Sequence, residues 1–122
     1  MLALPADIPA ATPEEISRLL SAHRRGRAFT IVPSHDEAGS NAIVMSPPDC
    51  VSLAYGGDSF RRHIDAASRE GIVATVLRLR GISLDIDTPR DCLEFLRLAS
   101  ATRAHACLAR HHLECLTAGR DC

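Results

Sequence analysis

The run Gly81-Ile82-Ser83-Leu84-Asp85-Ile86-Asp87-Thr88-Pro89-Arg90-Asp91-Cys92-Leu93 leaves little choice of local structure. It reads as the end of a buried strand that delivers two carboxylates and is followed at once by a helix. Thr88 supplies an N-cap, Pro89 suits the first helical position, and Asp91 sits near the positive end of the helix dipole. Leu93 and Leu96 then begin an apolar stripe at helical spacing. Asp85 and Asp87 stand two apart, so in extended chain they project to one side. Carboxylates so placed repel unless a cation or a proton lies between them. They also read as plain turn or capping residues, but Thr88-Pro89 already provides the cap.

The start of the chain has the same grammar. Met1-Leu2-Ala3-Leu4 is short and apolar, Asp7 follows, and Thr12-Pro13-Glu14-Glu15 opens a helix with the spacing of a capping box. In open α/β sheets ligands bind beyond the carboxyl ends of the strands. Asp7, Asp85 and Asp87 are therefore expected to converge there. They form a set of hard oxygen donors with no competing soft ligand, which suits magnesium.

Charge and composition narrow the partners. The net charge of −1 offers no general affinity for nucleic acid or an anionic membrane surface. All 14 basic residues are Arg, so any phosphate contact within the chain must use Arg, hydroxyls or backbone amides. Aromatic residues make up only 3% of the chain against 46% apolar, which calls for an aliphatic core. The 5 Cys are odd in number and irregularly spaced, which argues against a disulfide framework and for a reducing compartment. The N-terminus lacks the features of a signal peptide, and no apolar run approaches the roughly 20 residues needed to span a bilayer. A single cytoplasmic domain over residues 1–122 is the expectation.

A helix is expected from Pro13 to about Arg24, with Ile16, Leu19, Leu20 and His23 on one face. Ala28 to Val32 and Ala42 to Met45 read as buried strands. The polar loop between them, residues 34–41, is either a plain connection or a ligand-binding loop. Tyr55-Gly56-Gly57-Asp58-Ser59-Phe60 precedes a helix that ends at Gly71. Its glycines would let backbone amides approach an anion, with Ser59 adding a hydroxyl. The alternative is a Gly-rich turn capped by Asp58 or Ser59. His63, one turn in, either faces the same anion or packs. Ile72 to Leu79 reads as a long central strand. Helices follow from Pro89 to about Ala99 and over 101–118, and on the second Cys107, His111 and Cys115 line one face. That face is read as structural, since one helix rarely closes a tetrahedral zinc shell. Strands alternating with helices give an α/β class with a mostly parallel sheet.

With these residues in view, the chain resembles the CofC/FbiD family of guanylyltransferases, within the MobA-like nucleotidyltransferase superfamily. The resemblance runs from about Leu2 to Leu96. It rests on Leu4-Pro5-Ala6-Asp7-Ile8-Pro9, Gly39-Ser40-Asn41-Ala42-Ile43, Tyr55-Gly56-Gly57-Asp58-Ser59-Phe60 with His63, and Leu84-Asp85-Ile86-Asp87-Thr88-Pro89. It implies a Rossmann-like, three-layer nucleotide-diphospho-sugar-transferase fold. The implied activity joins GMP from GTP to a small phosphorylated acid such as 2-phospho-L-lactate, phosphoenolpyruvate or 3-phosphoglycerate, in the assembly of the deazaflavin coenzyme F-420. Under that resemblance Asp7, Asp85 and Asp87 would hold magnesium, with two ions expected. Ser40 or Asn41, Gly56 and Ser59 would contact the acid, with His63 as a further candidate.

The family's N-terminal Gly-rich loop with basic residues has no counterpart here. The resemblance thus covers the C-terminal portion of the family's domain, and a non-catalytic remnant or binding module is the alternative reading. A sheet lacking its other half would expose an edge and an aliphatic face around Leu2, Leu4, Ile31 and Val76, which predicts self-association.

Overall fold

The computed structural model describes residues 1–117, with side chains through residue 112. Its strands are β1 (Leu2–Ala3), β2 (Ala28–Pro33), β3 (Ser40–Ser46) and β4 (Thr75–Val76), and its helices are α1 (Pro13–Ala22), α2 (Ser59–Arg69), α3 (Pro89–Leu96) and α4 (Arg103–Thr117). The four strands form one sheet in the order β1-β3-β2-β4.

The sheet is mixed, which corrects the expectation of a mostly parallel one. β1 and β2 both run antiparallel to β3, and only the β2–β4 pairing is parallel. The reason lies in the connection between β2 and β3. Residues 34–39 are too few for a parallel crossover, which needs about a dozen residues or more, so the two strands fold back as a hairpin. Ile72 to Leu79 does not form a long central strand either. Only Thr75 and Val76 join the ladder, at the sheet edge. The apolar character of this run serves burial instead: Ile72 enters one core and Leu79 the other.

Those two cores lie on opposite faces of the sheet. Phe29, Ile31, Ile43 and Met45 pack with Ala67 of α2, while Val32, Ala42 and Val44 pack with Leu19 of α1 and with Leu79 and Ile82. β2 is buried along its whole length, as a strand covered on both faces must be. Each aliphatic side chain fully withdrawn from water contributes about 1.5–3 kcal/mol. Ile31 belongs to this interior and is not part of an exposed face, which corrects one member of the expected patch; Leu2 and Leu4 are exposed and Val76 is half-buried.

Both Thr-Pro helix starts form. Thr12 caps α1 by accepting from the Glu15 amide, and Thr88 caps α3 by accepting from the Asp91 amide. Only the second is a complete box. The Asp91 carboxylate returns to the Thr88 amide at 2.8 Å, whereas the Glu15 carboxylate turns away and accepts from the amides of Gly81 and Ile82 at 2.8 and 3.0 Å. That bond pair fixes the turn leading to Asp85. Gly81 has to be glycine there, because a Cβ would meet Glu15 Oε2 at 2.6 Å and the Ala10 carbonyl oxygen closer still.

Candidate functional site

The site is built around a bulge in β3. Val32 pairs with Ala42 and Pro33 with Ser40, so Asn41 is the extra residue on its strand. A bulge of this kind breaks the alternation of faces and re-aims the side chains beside it. Ser40 therefore points toward α2 and Asn41 toward the opposite face, where its Nδ2 donates to the Ile82 carbonyl at 3.0 Å and to Asp85 Oδ1 at 3.1 Å.

On the Asn41 side, Asp87 lies within electrostatic reach of Asp85 and Asp7. The Ile86 amide donates to the Asp7 carbonyl at 3.0 Å, which lays the Asp85-Ile86-Asp87 segment against the turn after β1. The Asp85 carboxylate beside Asp87 is the chief cause that holds the Asp87 carboxyl above its usual range, with burial next and then the charge of Asp7. Asp85 is half-buried; Asp7 and Asp87 are exposed. The Asp87 backbone is tied down by its amide, which donates to Asp91 Oδ2 at 3.2 Å.

Among the described residues, no three His, Cys, Asp or Glu side chains are drawn close enough to form a ready metal cage. The donor chemistry nonetheless fits a hard cation. Carboxylate oxygens are hard donors, and the crowding that raises the proton affinity of Asp87 would be relieved by a divalent ion such as magnesium.

On the Ser40 side the groups are neutral and buried. His63 Nδ1 lies 2.8 Å from Ser40 Oγ, Ser59 Oγ donates to Ser40 Oγ at 3.2 Å, and the Ala54 amide donates to His63 Nε2 at 2.9 Å. Burial, and secondarily the Arg62 charge, lower the pKa of His63. Neither alternative cap for α2 forms. Asp58 occupies the N-cap position in the left-handed region at φ 60° without a side-chain cap bond, and the Ser59 hydroxyl turns inward. Gly56, at φ 106°, makes the turn that a side chain would strain, and its carbonyl accepts from the Ser59 amide at 3.1 Å.

Thus the fold sets Asp87 within electrostatic reach of Asp85 and Asp7, and separately joins Ser40, Ser59 and His63 by hydrogen bonds, with Gly56 at the turn into α2. Asn41 falls with the carboxylates. His63 is fully buried with both ring nitrogens engaged.

One contributor, His35, and the roles of two residues already named, Glu15 and Asp91, escaped the reading of the sequence. His35 lies 3.9 Å from Asp85, carried there by a loop whose Ser34 and Asp36 side chains close it on itself. Glu15 supports the turn before Asp85, and no local signal marks that role. Asp91 stands three residues after Thr88, a spacing that does signal a capping box. The Cys107, His111 and Cys115 face lies on α4, where Cys107 is an exposed free thiol and the Cys115 side chain lies outside the described residues. Among the described residues no helix is long and apolar enough to cross a membrane.

A mixed α/β sheet carrying hard oxygen donors and buried hydroxyls beside one bulged strand now has a family. The model described as "Guanylyl transferase CofC like" matches residues 1–116, and the chain belongs to that family. Its curated relatives include a phosphoenolpyruvate guanylyltransferase of Rubrobacter xylanophilus, 34% identical over 75% of this chain and 44% of its own length. Another phosphoenolpyruvate guanylyltransferase, from Sphaerobacter thermophilus, is 37% identical over 77% of this chain and 45% of its own. A 3-phospho-D-glycerate guanylyltransferase of Colwellia psychrerythraea is 39% identical over 82% and 47%. The chain spans about half the length of the curated relatives it matches.

Proposed function

We propose that this chain supplies the acceptor-binding and cation-binding part of a guanylyltransferase that joins GMP from GTP to a small phosphorylated acid in coenzyme F-420 assembly. Sheet and flanking helices would then be the C-terminal portion of a MobA-like three-layer domain. The reading is supported by family membership and by the relatives' names, which specify phosphoenolpyruvate and 3-phospho-D-glycerate as acceptors. The observation that carries it is the bulge. Asn41 holds Asp85 on one side while its neighbour Ser40 stands on the other with His63, which supports a cation-binding side and an acid-binding side joined through one strand.

In the proposed reaction an acceptor phosphate oxygen bonds to the α-phosphorus of GTP and pyrophosphate leaves. That oxygen is already anionic at neutral pH, so no general base is needed and positioning carries the work. The Ser40 hydroxyl, to which Ser59 donates, and the backbone around Gly56 hold the acid groups. Magnesium held by Asp7, Asp85 and Asp87, two ions by expectation, would supply charge neutralisation among the phosphate oxygens.

Calorimetric titration of the 122-residue chain with phosphoenolpyruvate, 3-phosphoglycerate and 2-phospho-L-lactate tests this, with and without magnesium. Magnesium-dependent binding of at least one acid is expected; binding of none sinks the reading. β1 is an edge strand with Leu2 and Leu4 exposed beside it, which supports self-association of the chain, testable by size-exclusion chromatography.

A further inference from the structure

A backbone N–H can only donate. The Ala54 amide at 2.9 Å therefore requires a lone pair on His63 Nε2, which places the ring proton on Nδ1. From there it can go only to Ser40 Oγ, 2.8 Å away. An imidazolium would set N–H against N–H at Ala54. The ring is also shut in, with the Tyr55 and Phe29 rings at centroid distances of 5.2 and 6.5 Å.

Ser40 Oγ now receives two protons, one from His63 and one from the Ser59 hydroxyl. A hydroxyl has two lone pairs, and both are taken. Its own proton is left to donate, and no acceptor for that proton is present among the described residues. We propose that His63 is a positioning residue that fixes Ser40 as an obligate donor, so that the site takes an acceptor-only oxygen of the phosphorylated acid. The inference rests on the acid-binding reading above and deepens it. An ionised carboxylate or phosphate oxygen meets the Ser40 proton; a carboxamide NH placed there meets donor against donor.

The first test needs no turnover. Long-range proton–nitrogen correlation spectra of the 122-residue chain with nitrogen-labelled imidazoles read the His63 tautomer directly. Protonation on Nδ1 alone is expected, and an Nε2–H tautomer or an imidazolium at neutral pH overturns the inference. The second test is titration with phosphoenolpyruvate in magnesium. Ser40→Ala and His63→Phe should each weaken binding about 10-fold, the scale of a lost hydrogen bond to a charged oxygen. The double variant should be no weaker than Ser40→Ala, because His63 acts through Ser40. His63→Gln, which keeps one donor and one acceptor, should recover most of the loss. Additive losses, or equal losses for Gln and Phe, overturn the positioning role. If the unmodified chain binds no phosphorylated acid while the Nδ1 tautomer is present, the acid-binding reading fails and takes the ligand role with it.

Discussion

On one side of the β3 bulge, Ser40, Ser59 and His63 form a dry, neutral set in which each ring nitrogen and the shared hydroxyl oxygen are bonded. On the other, Asp7, Asp85 and Asp87 crowd three carboxylates at a partly wet corner and push one of them up in pKa. The first set is satisfied by the protein itself and directs one proton outward. The second is satisfied only in part, by the Asn41 amide on Asp85, and its Asp7 and Asp87 side chains are exposed to solvent. A buried neutral network can be preorganised at little electrostatic cost, because no net charge loses its hydration. Charges cannot be stored that way, so the carboxylates stay near solvent while a bond donated by Asn41 to Asp85 and one from the Asp87 amide to Asp91 fix their surroundings.

If the two sides differ in this way, damage to each should register in a different quantity. The largest effect belongs to the charged side. In a version of the protein long enough to turn over GTP, Asp85→Asn should lower the rate by about 100-fold or more, given that changes merely supporting a metal site cost about 10–100-fold. It should also abolish magnesium-induced thermal stabilisation. An unchanged rate would remove Asp85 from the cation site.

On the neutral side, Ser59→Ala removes the hydrogen bond that helps fix Ser40, and should weaken acid binding by about 5- to 10-fold and leave magnesium affinity unchanged. A magnesium defect in that variant would mean that the two sides are one site and would break the comparison. Gly81→Ala tests the framework beneath both. The added Cβ must displace the Ala10 carbonyl or Glu15, so unfolding by urea should show a loss of about 1–3 kcal/mol.

The smallest effect is pH-dependent. The Thr88 hydroxyl, followed by backbone amides, holds the Asp91 carboxyl below its usual range against opposing burial. A carboxylate whose pKa is lower folded than unfolded stabilises the fold above its unfolded pKa, and that contribution fades as pH falls through the folded value. Asp91→Asn should therefore cost about 1 kcal/mol at pH 7, the usual worth of a cap, and almost nothing in acid. A cost independent of pH would assign the role of Asp91 to packing.

Local chemistry sufficed for much of this. Thr12-Pro13 and Thr88-Pro89 start helices because caps and a fixed φ act within one turn, and both helices form where the sequence places them. The nearness of Asp7 to Asp87 does not come from the strand end expected before Asp85, since β4 stops at Val76; the segment is irregular and is laid against the Asp7 turn by the Ile86 amide. The hairpin of β2 and β3 was legible too, in the shortness of residues 34–39, yet the alternation of elements pointed to parallel strands. Ile72 to Leu79 misled because apolar β-branched residues report burial, and burial here splits between two cores rather than extending one ladder. Ser40 and Asn41, adjacent and both polar, are equivalent to any argument from spacing. Which of them faces His63 and Ser59 and which the carboxylates depends on a single residue of slip against β2, and only the packed sheet decides it. The same holds for the His63 proton, whose position is set by the Ala54 amide brought back against the ring by tertiary packing.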